Sequence, residues 1–227
     1  MSDEVAALFP DKFVDSDLGE IPEGWEISDI GHIVDVVGGS TPRTNNPEFW
    51  ENGTIHWATP RDLASLSDPI LTSTDRKITE TGLTQISSGL LPVGTVLLSS
   101  RAPIGYLVIS DIPVAVNQGF IACKIKNVSQ FFIKHWIAAN MDEIMGRANG
   151  TTFLEISKSN FRPIPFLLPC KPILNEFDKI IKPLFDQIIN NVYETKELSR
   201  TRNYLLPKLL SGEIRLKQAE KIVSEVV

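Results

Sequence analysis

The stretch Leu91–Ile125, LPVGTVLLSSRAPIGYLVISDIPVAVNQGFIACKI, decides how the chain is read. Its apolar runs, Val96-Leu97-Leu98, Ile104 to Ile109, Val114-Ala115-Val116 and Phe120 to Ile125, have strand length. Pro92, Gly94, Pro103, Gly105, Pro113 and Gly119 punctuate them as turns. The same Gly-, Pro-, Ser- and Thr-rich texture holds up to Leu168. Two helices are expected to interrupt it. One lies near Thr79 to Ile86; the other starts at Ser129, a good N-cap, with Phe132, Ile133, Trp136 and Ile137 on one face. The reading is an α+β domain, mostly β, over residues 1–168.

Outward from this domain the pattern changes. Pro163, Pro165, Pro169 and Pro172 exclude a continuous helix and suit an extended connector, which places a domain boundary there. Beyond it Leu174, Phe177, Ile181, Leu184, Ile188, Asn191, Thr195, Leu198, Arg202, Leu205 and Leu209 recur at alternating spacings of three and four, a heptad seam. Residues 169–227 therefore read as a long pairing helix and a tail. Asn191, Thr195 and Arg202 put polar groups on the seam, at a cost in stability that can fix register and partner. Pro183 should kink or loosen the helix, and Pro207, followed by Ser211-Gly212, marks its end.

Composition bounds the function. The 227 residues, 42% hydrophobic and 22% charged, suffice for one domain and an appendage. Two cysteines, Cys123 and Cys170, and three histidines show no metal-ligand spacing, so no zinc site or disulfide framework is expected. No signal-like or membrane-length run is present, which suggests a cytoplasmic protein. A net charge of −6 argues against histone-like, charge-driven binding, so any contact with nucleic acid needs a local basic face.

Several motifs, in order, resemble the specificity subunits of type I restriction-modification systems. They are Gly19 to Trp25 (GEIPEGW), Gly39 to Arg43 (GSTPR), Trp50 through Ile55, and Trp57 to Leu63 with ATPRDL inside it. Leu91 to Gly105, Asn117 to Phe120, and Leu205 to Ile214 (LLPKLLSGEI) continue the likeness over nearly the whole chain. The resemblance implies a target recognition domain followed by a spacer helix, in a half-length form, since the family usually carries two of each. It also implies a non-catalytic role, choosing double-stranded DNA sites for separate methyltransferase and restriction subunits. S-adenosylmethionine, ATP and Mg2+ are expected on those partners only. Two such chains would pair as a homodimer, or one would pair with another half-subunit.

Base reading favours Arg on guanine and Asn or Gln on adenine. Arg43, Thr44 and Asn45 follow a Gly-Gly-Ser-Thr-Pro turn and suit a groove-entering loop, or simply a solvated one. Arg61, Arg76, Lys77 and Arg101 are cations in irregular segments, fit for phosphate, guanine or plain solvation. Asn117 and Gln118 could read adenine, but a turn closed by side-chain hydrogen bonds is the favoured role. Arg147, Asn149, Thr151 and Thr152 (within RANGTT) suit DNA contact or a helix C-cap, and Lys158 suits phosphate or a capped helix start. Trp25, Trp50, Trp57 and Trp136 are expected in the core.

Competing readings are weaker. Asn46-Pro47-Glu48-Phe49 is a near miss for an adenine methyltransferase motif, and no Walker-type loop occurs. Asp75-Arg76-Lys77 with Asp62 or Asp68 has the makings of a nuclease site only by chance spacing. A β-rich adaptor binding protein or carbohydrate through the domain, and dimerising through the helix, is a further alternative. Under the favoured reading, about 34 residues from Ile173 to Leu206 give a rod of about 50 Å. That separates two half-sites by at most about 15 base pairs, and two-fold symmetry makes the site inverted and bipartite.

Overall fold

A computed structural model describes residues 9–150, 154–214 and 224, and the candidate residues Thr151 and Thr152 lie outside them. Among the described residues the strands, in chain order, are β1 (Phe13–Ser16), β2 (Gly19–Pro22), β3 (Glu26–Asp29), β4 (Val34–Val37), β5 (Ile55–Ala58), β6 (Ile70–Leu71), β7 (Arg76–Ile78), β8 (Val96–Ser100), β9 (Ile104–Ser110), β10 (Ala115–Val116), β11 (Phe120–Ile125) and β12 (Pro165–Leu168). A five-stranded sheet runs β4-β11-β8-β9-β6 and a three-stranded one β10-β5-β7. β1 pairs with β2, and β12 with β3.

All four apolar runs of Leu91–Ile125 form strands, because each is long enough to bury a face and too short for a stable helix. β11 sits between β4 and β8, antiparallel to both, and Phe120 to Cys123 are buried. With both neighbours present, its backbone groups are paired and its side chains face protein on two sides. That accounts for the unbroken run FIAC where a half-exposed strand would alternate. Burial pushes the Cys123 thiol pKa up to about 12.

Short helices pack on both of the larger sheets. Thr79 caps a short helix, Glu80–Leu83, by accepting from Gly82 N at 3.0 Å; Ile86 is buried just beyond its end. Ser129 accepts from Phe132 N at 3.3 Å and starts Gln130–Ala139. Ile133 and Ile137 of the expected stripe are buried, joined by Phe131. Phe132 and Trp136 are half-buried and turn to Phe166 and Phe177 instead, with ring centroids 5.0–6.1 Å apart.

The proline-rich connector becomes β12, and a 40-residue helix follows, Lys171–Leu210. Helix continues through Pro183 and past Pro207. It ends at Leu210, and Gly212 adopts the left-handed φ of +73° that suits a glycine after a helix C-terminus. Residues cluster into two compact units, Met1–Lys182 and Pro183–Val227. No helix among the described residues is long and apolar enough to cross a membrane.

The two larger sheets meet at a glycine. A Cβ on Gly39 would lie 1.6 Å from the Val116 carbonyl oxygen, so only a residue without one lets the chain leaving β4 pass under β10. Gly39→Ala is therefore expected to destabilise the domain, toward or beyond the upper end of the ~1–3 kcal/mol typical of overpacking, because the clash is with backbone. Thermal melting of the variant against the parent chain checks this. In the native chain a thiol reagent should modify Cys170 and spare Cys123 until denaturant is added; fast labelling of both would contradict the burial of β11.

Candidate nucleic-acid interface

Antiparallel pairing brings remote chain segments to one end of the five-stranded sheet. β4 leaves there at Val37, β8 leaves at Ser100, and β11 enters at Phe120, opposite Ser99. The loop after β4 therefore lies beside the Asn117–Gly119 turn, where Thr41 Oγ1 donates to Gln118 Oε1 at 2.6 Å. Ser100 N donates to the Gly119 carbonyl at 2.8 Å, and Ile156 N to the Ser100 carbonyl at 3.0 Å, which adds residues 155–158 to the same edge.

The Gly38–Asn46 loop is held by aromatic side chains. Trp57 Nε1 donates to the Ser40 carbonyl at 3.2 Å and Trp50 Nε1 to the Arg43 carbonyl at 3.0 Å. Trp50 and Trp57 meet edge to face at 5.1 Å, and the Arg76 guanidinium stacks 3.5 Å from the Trp50 ring centroid. Sequence alone puts both tryptophans in the core. Trp57 is there, but Trp50 is only half-buried, and its indole joins Arg43 to Arg76. The backbone beneath Arg43, Thr44 and Asn45 is thereby held while their side chains stay exposed. Asn46, next in line, accepts from Glu48 N at 3.2 Å.

Arg61 lies on the short helix Pro60–Ala64, exposed, next to Pro60, whose ring packs against Gly119. The start of that helix is fixed by Asp62. One carboxylate oxygen accepts from Thr59 N (2.8 Å) and Thr59 Oγ1 (2.6 Å), the other from Asp75 N (2.8 Å). Asp62 is thus committed to holding the loop before β7, which aims Arg76. Lys77, the next residue on β7, points to the opposite face of that strand. Lys158 sits on the helix Lys158–Phe161, capped by Ser157, with its ammonium 3.0 Å from where a Gly38 Cβ would stand.

Other candidates are engaged in structure. Asn117 Oδ1 accepts from Gly119 N at 2.9 Å and its own N–H donates to the Ala58 carbonyl, the turn role favoured from sequence, while Gln118 is exposed. Arg101 faces Glu155 at 3.6 Å. Arg147 pairs with Glu143 at 2.7 Å, and its carbonyl accepts from Asn160 Nδ2. Asn149 exchanges two backbone hydrogen bonds with Glu155. Among the described residues, Arg43, Arg61, Arg76, Lys77 and Lys158 form no ion pair, and the first three and Lys158 flank the same sheet end.

The helix-pairing candidates are mostly open in the single chain. Leu184, Asn191, Thr195, Leu198 and Arg202 are exposed, Leu174, Phe177, Ile181 and Ile188 are half-exposed, and Leu205 is buried.

Comparison with known proteins identifies the family. Residues 22–200 match the family model described as the type I restriction modification DNA specificity domain. The type I restriction enzyme MjaIX specificity subunit of Methanocaldococcus jannaschii is 36% identical over 192 residues, 82% of this chain and 44% of that protein. The HindI specificity subunit of Haemophilus influenzae is 26% identical over 220 residues, 93% of this chain and 47% of that one. This chain spans about half the length of the curated relatives it matches. Among solved structures, the HsdS subunit from Thermoanaerobacter tengcongensis shares the fold, with a TM-score of 0.55 at 20% identity over 92% of this chain and 49% of that one. With a family model that matches most of its length and with these relatives, the chain belongs to the type I restriction modification DNA specificity family.

Proposed function

We propose that this chain is a non-catalytic, DNA-reading specificity subunit that directs methyltransferase and restriction subunits to a bipartite site. Its domain reads one half-site, and its long helix pairs antiparallel with an equivalent helix carrying the second reader. S-adenosylmethionine, ATP and Mg2+ act on the partner subunits, and the complex works in the cytoplasm.

One observation carries the reading. In a chain of net charge −6, Arg43, Arg61, Arg76 and Lys158 gather at one sheet end without acidic partners. Cations clustered without acidic partners repel one another, and a phosphate backbone relieves that repulsion by neutralising them. The indole clips matter because they hold the Arg43 loop in place before DNA arrives, which spares part of the ordering entropy on binding. Gln118, beside that loop, adds an amide able to match adenine.

Arg43→Ala, Arg61→Ala and Arg76→Ala in the complex with methyltransferase subunits should each weaken site binding by about 1–3 kcal/mol if they reach a base edge. If they reach phosphate instead, each should lower the salt slope by about one. Arg147→Ala, whose guanidinium is taken by Glu143, should leave both unchanged. Binding titrations over a range of salt, with mapping of methylated adenines, measure this. Equal losses for Arg147 and the three others would contradict the proposed face.

Trp50→Phe keeps an aromatic under Arg76 and removes the donor to the Arg43 carbonyl. It should slow association and weaken site binding by up to about tenfold with little change in melting temperature.

A further inference from the structure

The seam of the long helix carries information about its own partner. Numbered along the chain, the a-type positions are Leu174, Ile181, Ile188, Thr195, Arg202 and Leu209, and the d-type positions fall three residues after them. Antiparallel helices place a-type residues against d-type residues, so two identical helices can meet only in registers one heptad apart. In one register Asn191 faces Ile188 of the second copy, Thr195 faces Leu184, and Arg202 faces Phe177. In the next, Asn191 faces Thr195 of the second copy and Thr195 faces its Asn191. Leu198 then faces Ile188, and Leu209 faces Phe177.

We infer that the chain pairs with a second copy of itself in this latter register, with the two-fold axis at residue 193 and an Asn191–Thr195 polar layer on each side of it. This rests on the helix pairing proposed above and specifies it.

Two independent observations select the register. The first is polarity: Asn191 and Thr195 are exposed amide and hydroxyl groups that can satisfy each other, whereas the alternative sets each against an aliphatic side chain with no partner to offer. Polar residues at a single layer are a known device for fixing register, because every shift leaves them unpaired.

The second observation lies at the other end of the seam. Phe177 and Ile173 border an apolar cavity of about 400 Å³, shared with Phe9, Trp25 and Trp136. A surface this apolar calls for an apolar cover. The chosen register lays Leu209 on Phe177, while the alternative lays the Arg202 guanidinium there. Pro183 and Pro207 fall at outward heptad positions in either register, so neither intrudes on the contact.

Disulfide trapping decides the matter, since a bridge forms only where Cα atoms come within about 7 Å. In the full chain with Cys170→Ser, separately prepared Asn191→Cys and Thr195→Cys proteins are mixed and oxidised, and Ile188→Cys is mixed with Asn191→Cys as the shifted-register control. The expected result is a covalent dimer from the first mixture and background from the second, with each single variant folded by circular dichroism. A dimer from the second mixture, or from both, overturns the register while leaving helix pairing intact. No covalent dimer from either overturns the register too, and a monomer in sedimentation would also overturn the pairing itself.

Discussion

Every side chain assigned to the DNA face depends on one buried strand. β11 is held between β4 and β8, and because both neighbours run antiparallel to it, the chain after Val37, the chain after Ser100 and the turn before Phe120 must emerge side by side. Non-local pairing of this kind is slow to form and strongly register-dependent, since a slip of one residue would exchange the side chains packed on the two buried faces of the strand. Once formed, it leaves the loops little freedom in where they start. Gly39, pressed against the Val116 carbonyl, shows how closely the second sheet is drawn to the same edge.

On that base, a second layer of interactions shapes the loops without filling them with charge pairs. Indole N–H groups from Trp50 and Trp57 hold the Arg43 loop, the Asp62 carboxylate holds the segment that leads into Arg76, and Ser157 starts the helix that offers Lys158. Neutral or internally consumed groups do the positioning, which leaves the cations available. The contrast at the far end of β11 is instructive. There Asp35 takes Lys126 at 2.6 Å and Lys124 at 3.8 Å, and the Lys126 hydrogen bond first of all lowers the Asp35 carboxyl pKa. Basic residues thus stand at both ends of the strand, but only one end leaves them unpaired.

Much of this was legible in the sequence where the signal is local. Strand runs punctuated by Pro and Gly, the Ser129 and Thr79 caps, the Pro-rich connector and the heptad seam each depend on neighbours within a few residues. Asn117 as a turn-closing residue was legible for the same reason. What escaped is long-range. Nothing near Trp50 announces that its indole reaches the Arg43 carbonyl or that Arg76 stacks on it, and nothing near Arg101 announces Glu155 as its neighbour. Period alone also misjudged the helix after Ser129, because Phe132 and Trp136 have a second apolar surface to meet in Phe166 and Phe177. A site built from several chain segments is set by the topology that brings them together, so single residue types identified its candidates while only the fold could sort engaged cations from open ones.

The account is tested most directly by lysine acetylation of the chain, assembled with methyltransferase subunits, in the presence and absence of duplex DNA carrying its site. Lys158 should be protected when DNA is bound, and Lys124 and Lys126 at the opposite end of β11 should react equally in both conditions. Protection of Lys124 and Lys126 with Lys158 left reactive would contradict the assignment of the DNA face.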